Sequence, residues 1–388
     1  MSPFAKPDRH RFALVSMVKD EGPYLLEWLA FHVIAGFDSI LIFWNDCTDG
    51  TDRILQRLET LGLCTAVRNR VPEGRKPQPH ALSLAARRPE VRLAEWVIFL
   101  DADEFLAVKT GEGRVQDLAA ALPAETVAAA LVWRCHGSNG ISEWAPHLVL
   151  ETYPMAAPDD FARGLGVKTM WRPASGLRPG IHRPHATGSA TPDPAGWVDG
   201  SGRPLDPAFV ARGWRLGPEA AGRDLAEIAH YAVKGREAFL MRRARGNVNL
   251  KPDKYDASYW GVFDRTEVHD PWPARHLPAV RALLAQWRTD TVLARLETAS
   301  LDHHAAQIAL LRSAPGYAAE MESLRRMSAV PYDQLSEILY IHDFPLRLRS
   351  WIRARLNEGM PEQTMQEILR GIVAKNAAAS ARADRTED

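Results

Sequence analysis

The stretch Trp96-Val97-Ile98-Phe99-Leu100-Asp101-Ala102-Asp103-Glu104-Phe105 decides how this chain is read. Five apolar residues of strand length run straight into a group of carboxylates. A strand this apolar is buried on both faces, the habit of a central parallel sheet covered by helices on either side. Side chains alternate along a strand, so Asp101 and Asp103, two apart, point the same way from an open strand end. Carboxylates so placed can share one hard divalent cation, and Mg2+ is typically held by one or two carboxylates together with substrate phosphates. The bland alternative is a polar cap on a buried strand.

On the N-terminal side, residues 12–18 and 39–44 are further apolar runs of strand length, and 65–69 is a third strand candidate. Between them, 24–34 carries Leu25, Leu26, Trp28, Leu29, His32 and Val33 at helical spacing, with Pro23 suited to its first turn and Gly36 to its close. Residues 51–61 bring Ile54, Leu55, Leu58 and Leu61 to one helix face, with Asp49-Gly50 as the turn before it and Thr51 as a cap, and 79–88 is also helical. Strands alternating with helices predict parallel β-α-β units with helices on both faces. Ligands of such sheets bind outside the carboxyl ends of the strands. Three polar groups follow three strands: Lys19-Asp20-Glu21, Asn45-Asp46 and Asp101-x-Asp103-Glu104. If those strands are adjacent, the groups converge on one edge, where the Asp46 carboxylate could accept from a nucleobase N–H.

The rest of the chain differs in character. From 172 to 222 Gly and Pro are frequent, periodicity is lost, and few large apolar residues offer an anchor. That predicts a mobile stretch that closes over a ligand site. Residues 225–245 read as a helix with a basic end at Arg242, Arg243 and Arg245, and helical periodicity dominates from 278 to about 377. The predicted organisation is an α/β domain over 10–250, a mainly helical region over 251–377 and a flexible tail over 378–388.

Composition narrows the classes. Lys+Arg and Asp+Glu both number 48 in 388 residues, and this zero formal charge argues against a general nucleic-acid binder. Cys47, Cys64 and Cys135 have no metal-ligand spacing and cannot build a disulfide framework, which suits a reducing cytoplasm. No apolar run is long enough for a transmembrane helix, and residues 1–11 lack the apolar core of a signal peptide. Residues 345–356 set Arg347, Arg349, Arg353 and Arg355 among Leu346, Leu348, Trp351, Ile352 and Leu356. Such a helix either packs on the catalytic domain with a solvated arginine face, the preferred reading, or lies peripherally on the anionic inner face of a membrane.

Taken together, Val18-Lys-Asp-Glu-Gly-Pro-Tyr-Leu-Leu-Glu-Trp-Leu29, His32, Gly36, Asn45-Asp-Cys-Thr-Asp-Gly-Thr51 and Leu100-Asp-Ala-Asp-Glu-Phe105 resemble the family 2-like glycosyltransferases, and among them the family 92-type subset. A looser match runs through Trp133-Arg134, Lys168, His182-Arg-Pro184, His230-Tyr231 and Arg245-Gly246. The resemblance implies a GT-A fold, a mostly parallel sheet that binds a nucleotide-diphosphate sugar donor, and transfer to a glycan or lipid-linked acceptor, as in polysaccharide biosynthesis. It implies nucleotide contacts from Lys19, Asp20 and Glu21, a base or ribose contact from Asp46, and Mn2+ or Mg2+ held by Asp103. Asp101 would contact ribose or metal-bound water, His182 or His230 would add a metal ligand, and Lys168 and Arg183 would lie near the diphosphate.

One departure matters. The family 2 pattern carries a downstream E-D pair whose Asp is the catalytic base, and no such pair appears in the expected stretch here. The base stays open among Glu143, Asp159, Asp160, Asp193 and Asp199, with Glu143 following the loop Gly137-Ser-Asn-Gly140. Inversion at the sugar carbon is implied by resemblance only. Trp197, Phe209 and Trp214 are sugar-ring platforms or, more conservatively, core residues. The competing classes are a catalytically silent nucleotide- or glycan-binding protein and a nucleotidyltransferase. The latter would want a glycine-rich basic loop where this chain has Lys19-Asp-Glu-Gly-Pro23.

Overall fold

Apolar runs bounded by Gly, Pro and Asp set the order of elements. A computed structural model describes residues 11–161, 165–188, 191–246 and 255–328. The chain divides into two units, Met1–Arg325 and Arg326–Asp388, so the basic segment 345–356 and the tail 378–388 lie outside the described residues. The first half runs β1 (Phe12–Val18), α1 (Gly22–Ile34), β2 (Ser39–Trp44), α2 (Thr51–Thr60), β3 (Thr65–Arg68), α3 (Pro77–Ala85), α4 (Pro89–Arg92) and β4 (Trp96–Phe99). It continues with β5 (Glu104–Val108), α5 (Val115–Ala121), β6 (Ala128–Cys135), α6 (Val149–Thr152), β7 (Met155–Ala156), β8 (Val167–Trp171), β9 (Trp197–Asp199), α7 (Pro207–Arg212) and β10 (Ala226–His230). The described part closes with α8 (Arg236–Arg245), α9 (Ala257–Phe263), β11 (Val268–His269), α10 (Leu277–Trp287), α11 (Thr291–Ser313) and α12 (Tyr317–Ser328).

The main sheet has the order β3-β2-β1-β4-β8-β6-β10-β5. The first four strands are parallel, β8 runs antiparallel to β4 and β6, and β5 runs antiparallel to β10. Strand β6 carries β9 and β10, both parallel, on successive stretches of its outer edge. Alternate residues of β1 feed two cores: Phe12, Leu14 and Val18 pack toward α1 and α2, Ala13, Val15 and Met17 toward α3. This two-sided burial is what the uninterrupted apolar runs predicted.

Two anchors position the strand ends. Trp28 of α1 is fully buried, and its indole N–H donates to the Glu104 carbonyl at 2.8 Å. Asp49 accepts from the Gly22 amide (2.9 Å) through one oxygen and from the Thr51 amide (2.9 Å) and hydroxyl (2.6 Å) through the other. The Thr51 hydroxyl in turn accepts from the Glu21 amide at 2.9 Å. Thr51 is therefore the first residue of α2 rather than its cap, a place taken by Gly50 at φ 89°. Asp49 and Thr51 instead lock the loop after β2 to the loop after β1.

The expectation for 225–245 is corrected: residues 226–230 form β10, and only 236–245 are helical. Ala and Glu favour a helix locally, but insertion between β6 and β5 satisfies the backbone and buries Ala226, Ile228 and Ala229. The stretch 172–222 is also better anchored than its composition suggests. Trp197 and Val198 are buried in β9, and Leu205, Phe209, Val210 and Leu216 join the same side of the core, so the expected lid is pinned along much of its length. Downstream, α10 packs on α1, and α11 packs on α1 and α2 with an Arg57–Asp290 ion pair. These helices belong to the same unit as the sheet. Among the described residues no helix is long and apolar enough to cross a membrane.

The Asp49 lock sets a stability expectation. Asp49→Ala removes the acceptor of the buried Gly22 amide and of two Thr51 donors, and should cost about 2–3 kcal/mol. Urea unfolding of the full chain measures it; a loss under about 0.5 kcal/mol would mean that the loop does not depend on this residue.

Candidate active site

Because β1 lies between β2 and β4, their carboxyl ends bring residues 19–21, 45–46 and 101–104 to one edge of the sheet. Asp20 and Asp46 both adopt left-handed backbone, with φ 52° and 49°. Residues with a side chain seldom sit there, and when they do the spot is often functional. The Asp20 carboxylate accepts from the Thr48 amide (2.6 Å) and hydroxyl (3.2 Å), so the first two loops lean on each other. Asn45 donates to the Asp46 carboxylate at 2.8 Å, and Asp46 remains exposed toward solvent.

The third loop is charged and enclosed. Asp101 accepts from Gln78 at 2.8 Å and from the Lys168 ammonium at 2.9 Å. Lys168, fully buried on β8, also lies 3.1 Å from Glu104 and over the Phe99 ring. Glu104 accepts from the Asp101 amide at 2.8 Å, and burial pushes its carboxyl upward although Lys168 opposes this. Burial works against the charge on Lys168 too, but Asp101 and Glu104 more than offset it and hold its pKa above the ordinary value. Lys168 is thus the shared counter-ion of two site carboxylates.

Asp103 is not the exposed strand-end group that the sequence suggested; the residue is only 6% exposed. Its Oδ2 pairs with Arg242 and lies 3.8 Å from His230 Nε2, while its carbonyl accepts from the Tyr231 amide at 2.8 Å. Burial opposes its charge, yet Arg242 and then His230 hold the carboxyl well below the usual range. His230 ends β10, packs at a tilt on Trp133 with centroids 4.5 Å apart, and is held toward the neutral form by burial. Arg245, one turn beyond Arg242 on α8, donates to the carbonyls of Lys19 and Asp20 and to the Glu21 carboxylate, each at 2.7 Å. Helix α8 therefore returns over the strand ends and supplies two guanidiniums that the sequence showed only as a basic helix end. Their three-residue spacing, just past a strand ending in His, was the signal available.

The remaining sequence candidates have other partners. His182 Nδ1 lies 3.2 Å from the Val167 carbonyl, its ring packs on Trp133 and Trp214, and burial takes its pKa down to about 3. Arg183 turns to the carbonyls of Val210 and Ala211 at the end of α7. Glu143 is exposed and pairs with Arg312 of α11 at 3.3 Å. Asp159 pairs with Arg134, Asp199 holds the turn through Ser201 and Arg203, and Asp193 accepts from the Ala195 amide. Of the three aromatic candidates, Trp197 and Phe209 are core residues and Trp214 is exposed beside His182.

No group of three or more metal-binding side chains occurs among the described residues. The Asp103 carboxylate and the neutral His230 imidazole nevertheless form a donor pair of the kind that suits Mn2+ when phosphate oxygens and water complete the shell. Asp101 is committed to Lys168 and Gln78.

This mixed, mostly parallel sheet, helical on both faces and polar at the carboxyl ends of β1, β2 and β4, has the plan implied by the GT-A resemblance. No protein-family model matches the chain. A glycosyltransferase family 92 protein of Ricinus communis is 28% identical over 102 residues, 26% of this chain and 18% of that protein. The chain thus spans less than a fifth of that curated relative. Among solved structures, residues 1–349 of S. aureus TarS match at 15% identity and a TM-score of 0.32, over 82% of this chain and 90% of that one. Glucosyl-3-phosphoglycerate synthase from Mycobacterium tuberculosis, in complex with Mn2+, UDP and glucosyl-3-phosphoglycerate, matches at 14% identity and a TM-score of 0.25, over 43% and 58%. The chain is similar in sequence to family 92 glycosyltransferases.

Two outcomes are expected from the charge pairs. Lys168→Met strands Asp101 and Glu104 without their cation and should cost about 3–5 kcal/mol, part of it recovered when Glu104→Gln is added. Unchanged denaturant midpoints for the single variant would remove Lys168 from this role. The depressed carboxyl of Asp103 contributes stability that is full above the ordinary value of 3.8 and is lost as pH falls through the lower folded value. Unfolding of metal-free Asp103→Asn should therefore show a shallower loss between neutral and strongly acid pH than the wild type; parallel curves would contradict the pairing.

Proposed function

We propose that this chain is a glycosyltransferase that moves a sugar from a nucleotide-diphosphate donor to a hydroxyl of a glycan or lipid-linked acceptor. The observation that carries the proposal is the convergence of three strand-end loops, with their carboxylates, under the guanidiniums of Arg242 and Arg245. Carboxylates suit a divalent cation and ribose hydroxyls, whereas guanidiniums suit a diphosphate. On this reading Asp46, exposed at the end of β2, meets the base or ribose, and the 19–21 backbone, clamped by Arg245, borders the nucleotide. Asp103 and His230 would hold Mn2+ or Mg2+, which would supply Lewis-acid stabilisation of the leaving diphosphate.

Transfer breaks the bond between the sugar C1 and the β-phosphate oxygen, and the electron pair stays on that oxygen. The acceptor oxygen bonds C1 and gives its proton to a carboxylate base, with inversion if it attacks directly. Arg242 and Arg245 are fixed before reaction and offset the charge that grows on the diphosphate. Asp159, Asp193 and Asp199 hold loop contacts, Asp160 stays a candidate, and Glu143, exposed on the loop after β6 beside Arg312, is the first base to test. Trp214 offers an exposed ring for an acceptor or donor sugar. A cytoplasmic, peripheral role at the inner membrane face through 345–356 belongs to the same reading.

The test is release of free nucleoside diphosphate from a panel of UDP-, GDP-, ADP- and dTDP-sugars with Mn2+ or Mg2+. Turnover of one donor is expected, lost with EDTA and reduced about 100-fold or more in folded Asp103→Asn. Tight donor binding with no release by the wild type, with every acceptor class supplied, would favour the silent binding protein instead.

A further inference from the structure

Lys234 occupies the turn between β10 and α8 and has no place in the site as built so far. The residue is 7% exposed. Among the described residues, Arg134, Lys168 and Arg265 are the other lysines and arginines this deeply buried, and each has a carboxylate partner. Lys234 has no ion pair and no hydrogen bond among the described residues; its ammonium lies 4.4 Å from the centroid of the Tyr24 ring. A buried cation without a counter-charge is costly, so the fold tolerates one chiefly where an anion arrives later. The backbone points the same way. Lys234 sits at φ 54°, a left-handed conformation that a lysine rarely adopts and that is often kept for function.

Its surroundings specify the sign and the place. Glu21, Asp103 and Glu27 are carboxylates whose charge couples to that of Lys234; Arg245 and Arg242 already occupy the first two, and Glu27 accepts from the Val149 and Leu150 amides. Of the three cations here, Arg242 and Arg245 pair directly with a carboxylate, and Lys234 pairs with none among the described residues. The Lys234 ammonium lies over the ring of Tyr24, three residues beyond Glu21 of the loop after β1, and its charge favours ionised Asp103 in the loop after β4. We propose that Lys234 is the binding cation for the diphosphate of the donor, reaching the terminal β-phosphate that a nucleoside monophosphate lacks. The inference rests on the glycosyltransferase reading and adds a residue to it. Held in a turn outside the D-x-D strand and outside α8, Lys234 lets the site count phosphates: the nucleoside binds at β1 and β2, and the second phosphate is sensed after β10.

Calorimetric titration of the full chain with UDP and UMP, or the best-bound pair from a panel of nucleosides, in the presence of Mn2+, tests this. Lys234→Met should weaken the diphosphate about tenfold or more and the monophosphate by less than about threefold, and Lys234→Arg should restore most of the loss. Equal affinity for the diphosphate in wild type and Lys234→Met overturns the inference alone, as does an equal loss for both nucleotides. Wild-type protein that binds no nucleotide overturns the donor reading and this inference with it. Should Lys234→Met fail to fold, amine acetylation of the wild type followed by peptide mass spectrometry decides. Protection of Lys234 by UDP but not by UMP supports the role, and equal labelling with both rejects it.

Discussion

Carboxylates drawn out of water must find cations, and just past β4 two buried ones and one half-buried one lie within four residues. Asp101, Asp103 and Glu104 crowd negative charge at that edge, and a charge withdrawn from water without a partner is strongly destabilising. The rest of the site follows from how each is matched. Lys168 serves Asp101 and Glu104 together, which requires β8 to lie directly beside β4. Arg242 serves Asp103, which requires α8 to turn back over the strand ends after β10. Such pairs add little net stability, but once made they permit one arrangement and penalise the alternatives.

The same economy organises the neighbouring loops. Arg245 takes the carbonyls of Lys19 and Asp20 with the Glu21 carboxylate, and Asp49 takes the amides of Gly22 and Thr51. Trp28 reaches from α1 to the Glu104 carbonyl. A ligand arriving at this edge meets groups already oriented, and preorganised charge is what electrostatic catalysis depends on. Asp46 differs: it is exposed, in left-handed backbone, and tied among the described residues only to its neighbour Asn45. That freedom fits a group whose partner is the nucleotide rather than the protein.

Local chemistry made much of this legible. The apolar runs at 12–18, 39–44 and 96–99 could be buried only as central strands, and the acids following them had to share an edge once those strands proved adjacent. Strand β10 was not legible, because Ala226-Glu-Ile-Ala-His230 has helix-forming composition and becomes a strand only through partners more than ninety residues away in β6 and more than one hundred away in β5. Arg242 and Arg245 were hidden for the same reason, since arginines in a last helical turn usually face solvent. Arg183 and Glu143 illustrate what a motif leaves open. Their sequence surroundings matched a site, but the nearest acceptors for Arg183 are the carbonyls ending α7, and Glu143 meets an arginine from α11. Lys234 carries no motif by itself; its burial, its backbone and the lack of a carboxylate partner among the described residues set it apart.

The central claim is that one edge of the sheet, closed by α8, is the donor site. Hydrogen–deuterium exchange of the full chain, with and without a saturating nucleoside diphosphate and Mn2+, tests it most directly. The account expects slowed exchange in 19–22, 45–51, 101–104 and 230–246, and none in the cleft of about 430 Å3 formed by Ala86, Arg87, Val91, Arg92, Trp171 and Leu177 with neighbouring residues. Protection confined to that cleft, with the strand-end loops unchanged, would contradict it.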